Sequence, residues 1–399
     1  MKFTISCAEL TAALRHVAKV IPSGNVAAPI LSHFLMEVHE GVLTITGSDQ
    51  TIWMSVALPL ISADEDKSFT VLPENILEYI QALPDQPITF EITQQENYEK
   101  MTIRHEAGFS EFSISDTSLY PKGLVAADGN SDSYAPRSLS LKADLLLNGI
   151  TDTYPTLSSD LTRPIYTGIY VDVMPQEVAF VSTDAYTLTR LLVTEPIQRS
   201  PESDQANYYP TNAMSIPTKC AGLLRNVLPI LGDQEVQIDY NGEKALFVCG
   251  NYRITTRLIV GKFPPYQQVI PISNPHKITF DYGQITTALK RLCRSFTGSA
   301  VISIFFDFKD ANTIELRSQN LDIALKSTER IATQVPEQLI GQKLCIQGAF
   351  LLRVLPILGN KEVTMHIADV TRAVLLTPSD DYPGTALSVT VPVFKGVEM

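Results

Sequence analysis

The feature that most limits how this chain can fold is internal repetition. VLPILGDQEV at Val227–Val236 returns as VLPILGNKEV at Val354–Val363, with eight of ten residues identical. KFTISCAELTAALR at Lys2–Arg15 returns as KITFDYGQITTALK at Lys277–Lys290, matching at the lysine, the strand threonine and the helical TxAL. A middle copy opens near SLSLKADLL, where ADL at Ala143–Leu145 falls one repeat length after AEL at Ala8–Leu10. Units that repeat and stack build one composite surface out of several modest ones, so symmetry has to be settled before any single motif. Three copies sharing 399 residues give each an ordinary domain size.

Each copy reads as a strand, an amphipathic helix, several alternating strands, a second helix and closing strands, which is α+β architecture. In the first copy the periodicity predicts a helix from about Ala8 to Val20. A second helix is opened by Pro73 and Glu74, with Ile76, Leu77, Ile80 and Leu83 at helical spacing. The expected domains are residues 1–125, 137–268 and 275–399, with joints at Ser118–Arg137 and Val269–Lys277. Glu195–Pro217 reads as a long surface loop inside the middle copy.

A hydrophobic share of 45% with 19% charged residues describes ordinary globular cores. The opening MKFTISCAEL has no apolar stretch before Glu9 and Arg15, so no secretory signal is expected. No segment reaches the ~18 uninterrupted apolar residues of a membrane helix. The five cysteines are scattered without CxxC spacing, which points to a reducing cytoplasm and to neither a disulfide framework nor a zinc site. A net charge of −12 argues against a surface that grips nucleic acid everywhere, so the placement of the few cations matters more than their number.

Catalytic signatures are missing from the string: there is no serine-histidine-acid arrangement, no Gly-rich phosphate loop, no HExxH and no metal cluster. Asp49 and Asp184, one repeat length apart, and Gln319, a further repeat length on, end matching strands in ITGSD, VSTDA and LRSQN. Two readings are open for the aspartates: turn residues that bond their own backbone, or the catalytic pair of a hydrolase or lyase. No metal and no cofactor are implied.

The cations do form a pattern. Leu10, Leu14 and Val17 make an apolar stripe on the first helix, with Arg15 and Lys19 opposite. Ile285, Leu289 and Leu292 make the stripe on the opening helix of the third copy, with Lys290 and Arg294 opposite. A single offset carries Arg15 onto Lys290 and Lys19 onto Arg294. Arg291 flanks the second pair, and Arg225 and Arg353 lie on the second helices of copies two and three. In the middle copy Ile150 and Tyr154 stand where the pair would be. Helices that bury one face and present such cations inward would hold a polyanion on an axis through phosphate contacts, without sequence preference.

At these residues the chain resembles a known family, the bacterial DNA polymerase III β subunit or sliding clamp. The likeness runs from the MKFTI start through ITGSD, VSTDAYTLTRL, GKFPPYQQVIP and VLPILG to the closing VTVPV. It implies three repeated clamp domains with helices on one face of antiparallel sheets, and a head-to-tail homodimer forming a six-domain ring. It implies a non-enzymatic processivity factor that encircles duplex DNA and tethers the replicative polymerase catalytic subunit, the clamp loader and other clamp-binding-motif proteins.

By position, the resemblance places a peptide-binding groove at Tyr166, Thr183, Ala185, Tyr186, Leu188, Pro264 and Val269. Its other wall would come from Gln347, Phe350, Thr371, Ala373, Val389, Val391, Pro392 and Val393. Ala185-Tyr186-Thr187 replaces the family's frequent Gly-His-Arg, and branched Val391 and Val393 replace flexible methionine, which stiffens that wall. Asn25 stands where the family often has an arginine, and Phe394–Met399 extends past the usual end. Ile80, Phe112 and Ile114 are the candidates for the dimer seam. A monomeric peptide-binding scaffold without a DNA role is the other reading that the repeat allows.

Overall fold

The computed structural model describes residues 1–22, 28–96, 98–121, 137–194, 198–199, 212–294, 302–320, 325–359, 361–379 and 385–392. Asn25, Val393, Phe394–Met399 and most of Glu195–Pro217 lie outside the described residues.

The elements follow one order three times, except that among the described residues the third run has four strands between its helices where the first two have five. The first run is β1 (Lys2–Ser6), α1 (Cys7–Ala18), β2 (Phe34–His39), β3 (Val42–Ser48), β4 (Ile52–Pro59), β5 (Ser62–Ala63), β6 (Lys67–Val71), α2 (Pro73–Gln81), β7 (Pro87–Gln94), β8 (Glu99–His105) and β9 (Gly108–Ile114). The second is β10 (Arg137–Lys142), α3 (Ala143–Thr153), β11 (Gly168–Val173), β12 (Val178–Thr183), β13 (Leu188–Val193), β14 (Gln198–Arg199), β15 (Ala213–Pro217), α4 (Thr218–Leu231), β16 (Glu235–Tyr240), β17 (Lys244–Cys249) and β18 (Tyr252–Arg257). The third is β19 (His276–Asp281), α5 (Tyr282–Arg294), β20 (Ser303–Asp310), β21 (Thr313–Asn320), β22 (Leu325–Ala332), β23 (Lys343–Gln347), α6 (Gly348–Val354), β24 (Glu362–Ile367), β25 (Val374–Pro378) and β26 (Thr385–Val391).

Local chemistry sets the boundaries. The Ser6 hydroxyl accepts from the Glu9 amide at the start of α1, and the Asp281 carboxylate accepts from the Gln284 amide at the start of α5. Both helices end in arginine, Arg15 on α1, Arg291 and Arg294 on α5, where the carbonyl end of the dipole favours positive charge. The repeated VLPILG behaves differently in its two settings. Pro229 sits inside the last turn of α4, whereas Leu355–Ile357 tightens into a 3-10 turn after α6. Gly232 (φ 56°) and Gly359 (φ 98°) then stop both in the left-handed region that a side chain would resist.

Two compact units emerge, and they cut across the repeats. One comprises Met1–Leu147, Gln198–Asn207 and Lys219–Leu258; the other comprises Asn148–Ile197, Tyr208–Thr218 and Ile259–Met399. The first holds a five-stranded sheet, β5-β1-β7-β8-β9, and a nine-stranded sheet, β14-β10-β16-β17-β18-β4-β3-β2-β6. The second holds an eight-stranded sheet, β15-β11-β12-β13-β26-β25-β24-β19, and a four-stranded sheet, β22-β21-β20-β23.

The reason for the crossing lies in two equivalent pairings. β4 pairs antiparallel with β18, Met54 opposite Ile254, and β13 pairs antiparallel with β26, Leu191 opposite Leu387. In each case the third strand after the first helix of one repeat meets the final strand of the next. β22 and β9 hold the corresponding places and, among the described residues, end their sheets.

Strand parity decides what each residue faces. Leu387, Val389 and Val391 of β26 share one face with Thr189, Leu191 and Val193 of β13, while Leu188, Arg190, Ser388 and Thr390 take the other; of these, Arg190 alone is not buried. Among the described residues no helix is long and apolar enough to cross a membrane.

Candidate nucleic-acid and peptide interfaces

In the first unit the cations of two repeats are drawn alongside one another. Leu10, Leu14 and Val17 are buried, leaving Arg15 and Lys19 exposed. The Lys19 ammonium donates to Asn226 Oδ1 of α4 at 2.6 Å, and Arg225, the neighbour of Asn226, is exposed too. α1 is further tied to the next repeat by His16 Nδ1 and the Tyr252 hydroxyl at 2.9 Å; burial and Lys19 hold that imidazole below its ordinary pKa.

In the second unit Ile285, Leu289 and Leu292 are buried and Lys290, Arg291 and Arg294 are exposed. Arg291 is not free for a phosphate: its Nε and Nη2 reach both oxygens of Glu329 at 2.6 and 2.7 Å. Arg353 is engaged as well, donating from Nη2 to Asp184 Oδ2 at 2.5 Å and to Thr187 Oγ1 at 2.8 Å. α3 carries no lysine or arginine, Ile150 is fully buried, and burial pushes the Asp152 carboxyl up to about 7.

Asp49 and Asp184 are both consumed by turns. Asp49 Oδ1 accepts from the Thr51 and Ile52 amides at 2.8 Å and from Thr51 Oγ1 at 2.7 Å, and its Oδ2 pairs with Lys219 of α4 at 2.5 Å. Asp184 Oδ1 accepts from the Tyr186 and Thr187 amides at 3.0 and 2.7 Å and from Thr187 Oγ1 at 3.0 Å. The residue after each is left-handed, Gln50 at φ 72° and Ala185 at φ 73°. Desolvation opposes both carboxylates, yet these bonds hold each below its ordinary pKa.

The groove candidates fall into separate groups. Ala179, Val181, Leu188, Phe263 and Tyr266 form a buried apolar cluster, with Tyr166, Tyr170, Leu192 and Ile270 packed against it. Phe263 stacks on Tyr170 at 4.4 Å and meets Tyr166 edge-on at 6.2 Å. Tyr266 donates from its hydroxyl to Asp172 Oδ2 at 3.0 Å. Pro264 is half-buried beside this cluster in sequence, and Val269 is 55% exposed. Thr183 Oγ1 accepts from the Ala185 amide, and Tyr186, 63% exposed, stacks on Phe350 of α6 at 5.8 Å.

Gln347 stands at the N-cap of α6, Thr371 is exposed in a turn built on Asp369, and Ala373 precedes β25. Pro392 is half-buried. Val389 and Val391 are fully buried and lie on the face of β26 opposite to the one that carries Leu188. Ser388 and Thr390 occupy that face instead, and their hydroxyls have no hydrogen-bond partner among the described residues. Of the seam candidates, Ile80 is fully buried and Ile114 is 7% exposed, so both belong to the chain's own core. Phe112 is half-buried against Tyr79 at 5.4 Å. Phe109, 57% exposed on β9 under the Arg104 guanidinium, is the apolar residue that this edge presents.

Residues 1–120 match the family model of the DNA polymerase III beta subunit N-terminal domain, and residues 140–265 match that of its central domain. The chain belongs to the DNA polymerase III beta subunit family. It is therefore a sliding clamp, a non-catalytic processivity factor of a DNA polymerase. Beta sliding clamps of Staphylococcus epidermidis and Staphylococcus aureus are each 23% identical to it, over 410 and 405 residues that cover 99% of this chain and all of theirs. Among solved structures, the Pseudomonas aeruginosa sliding clamp bound to griselimycin superposes with a TM-score of 0.84 at 20% identity, covering 99% of both chains. The Caulobacter crescentus clamp, with polyethylene glycol at a putative β-motif tethering region, gives 0.82 at 21% identity and the same coverage.

Proposed function

We propose that two copies of this chain close head to tail into a ring of six clamp domains, residues 1–125, 137–268 and 275–399 of each, around duplex DNA. The observation that carries this reading is the pair of equivalent joints, β4 with β18 and β13 with β26, which leaves β22 and β9 as the strands without a counterpart among the described residues. Pairing β22 of one copy with β9 of another would join a four-stranded and a five-stranded sheet into a nine-stranded one, the size already present in the first unit. A long unpaired edge otherwise invites indiscriminate pairing, and closure removes it.

Arg15, Lys19, Arg225, Lys290 and Arg294 would then line the hole, with Arg291 held back by Glu329. Such a ring works by topology, so weak and salt-screened inner contacts suffice, and an overall charge of −12 discourages static sticking. The apolar cluster around Leu188 and Phe263 would anchor the apolar end of short peptides from the replicative polymerase, the clamp loader and other partners. The proposed compartment is the cytoplasm.

Two measurements test it. Sedimentation should give twice the 44.0 kDa of one chain, and Phe109→Asp should shift the mass toward the monomer. Lys290→Glu combined with Arg294→Glu should weaken retention on circular DNA by roughly tenfold at physiological salt while leaving the dimer intact. A monomeric wild type, or unchanged retention of the charge-reversed variant, counts against the ring or the inner face respectively.

A further inference from the structure

Treating Arg353 as a DNA contact leaves its surroundings unexplained. Its guanidinium carbon lies 5.5 Å from the centre of the Phe350 ring, one turn back on α6, while its Nη2 bonds Asp184 and Thr187 on the turn between β12 and β13. The Tyr186 ring, carried by that same turn, stacks on Phe350 with an interplanar angle of 26°. Asp184 is thus fixed from two sides: Oδ1 by the turn's own amides and Oδ2 by α6.

The first unit supplies an internal control. Lys219 grips Asp49 in the same way, and the backbone there has the same left-handed residue, but Gln50 and Thr51 stand where Ala185 and Tyr186 do. A cation on that turn is sufficient for a structural joint. In the second unit the cation also fixes an exposed aromatic ring two residues before Leu188, the residue that opens into the apolar cluster.

We propose that Arg353 is a positioning residue of the peptide groove, setting its affinity for apolar-ended peptides by holding Tyr186 flat on Phe350, and that it does not serve as a DNA contact. This rests on the groove reading above. With Arg353 in place the turn cannot swing Tyr186 away, so the ring forms a rigid wall that an incoming peptide meets without first ordering it, and preorganisation of that kind improves affinity by removing an entropic cost. Without it, the turn keeps its backbone bonds but Tyr186 loses its support.

The test uses the full-length protein and a fluorescein-labelled peptide with polar residues followed by an apolar Leu-Phe end, read by anisotropy, alongside retention on circular DNA. Arg353→Met should weaken peptide binding about tenfold, Arg353→Lys should recover part of the loss, and DNA retention should stay within twofold of wild type. Lys219→Met should leave peptide affinity within twofold. In a Tyr186→Ala background, Arg353→Met should cause no further loss, an outcome that general destabilisation would not produce. Reduced DNA retention with unchanged peptide affinity, or an undiminished loss in the Tyr186→Ala background, overturns the proposal. If the wild-type protein fails to bind the peptide at all, it is the groove reading that fails.

Discussion

The turns at Asp49 and Asp184 are the same piece of chain used for different ends. Each begins with an aspartate that takes three bonds on one oxygen, passes through a left-handed residue, and hands its second oxygen to a cation from the second helix of the following repeat. They differ in what the cation touches beyond the carboxylate. Lys219 also donates to the Val20 carbonyl at 3.0 Å, closing the end of α1, whereas Arg353 lies over Phe350, the ring on which Tyr186 stacks. One joint ties a helix end; the other shapes an exposed wall. A repeat that fixes the fold thereby carries an exposed aromatic ring on one of its copies.

The comparison is broken most severely by removing the aspartates. Asp184→Ala orphans three donors and a half-buried guanidinium, and should cost about 3 kcal/mol in urea unfolding; Asp49→Ala, whose partner Lys219 is more exposed, should cost about 2 kcal/mol. Equal and negligible losses would show that neither turn is a joint. A smaller effect concerns acid. Both carboxylates have folded pKa values below the ordinary 3.8, so their contribution is fully present above that value and disappears as pH falls beneath it. Unfolding profiles below pH 3.8 should therefore lose part of their steepness in Lys219→Met and in Arg353→Met, and profiles parallel to wild type would contradict the pairing.

Much of the architecture was legible in the sequence because period and repeat report directly on burial. The stripe Leu10, Leu14, Val17 and its echo Ile285, Leu289, Leu292 are buried in both helices, and the periodicity expecting a helix at about Ala8 to Val20 meets one at Cys7–Ala18. The turn reading of Asp49 and Asp184 also followed from side-chain chemistry alone. What sequence could not supply was strand parity relative to a distant partner. Nothing local says that β26 lies on β13 with Leu188 opposite Thr390, and that register is what puts Ser388 and Thr390, rather than Val389 and Val391, on the face of Leu188. The engagement of Arg353 and Arg291 was hidden for the same reason, since Asp184 lies 169 residues from Arg353 and Glu329 lies 38 from Arg291. Phe263 and Tyr266, in the GKFPPYQQVIP segment, carried a usable signal: aromatic residues set among prolines on a polar loop are poor candidates for idle surface.

The most direct measurement compares the same loaded protein on nicked circular DNA and on that DNA after a single cut, at fixed salt. Topological enclosure predicts a long-lived complex on the circle and rapid loss from the free ends once the circle is opened. Equal lifetimes on both forms would mean that the chain holds DNA by contact alone, and the ring would have to be abandoned.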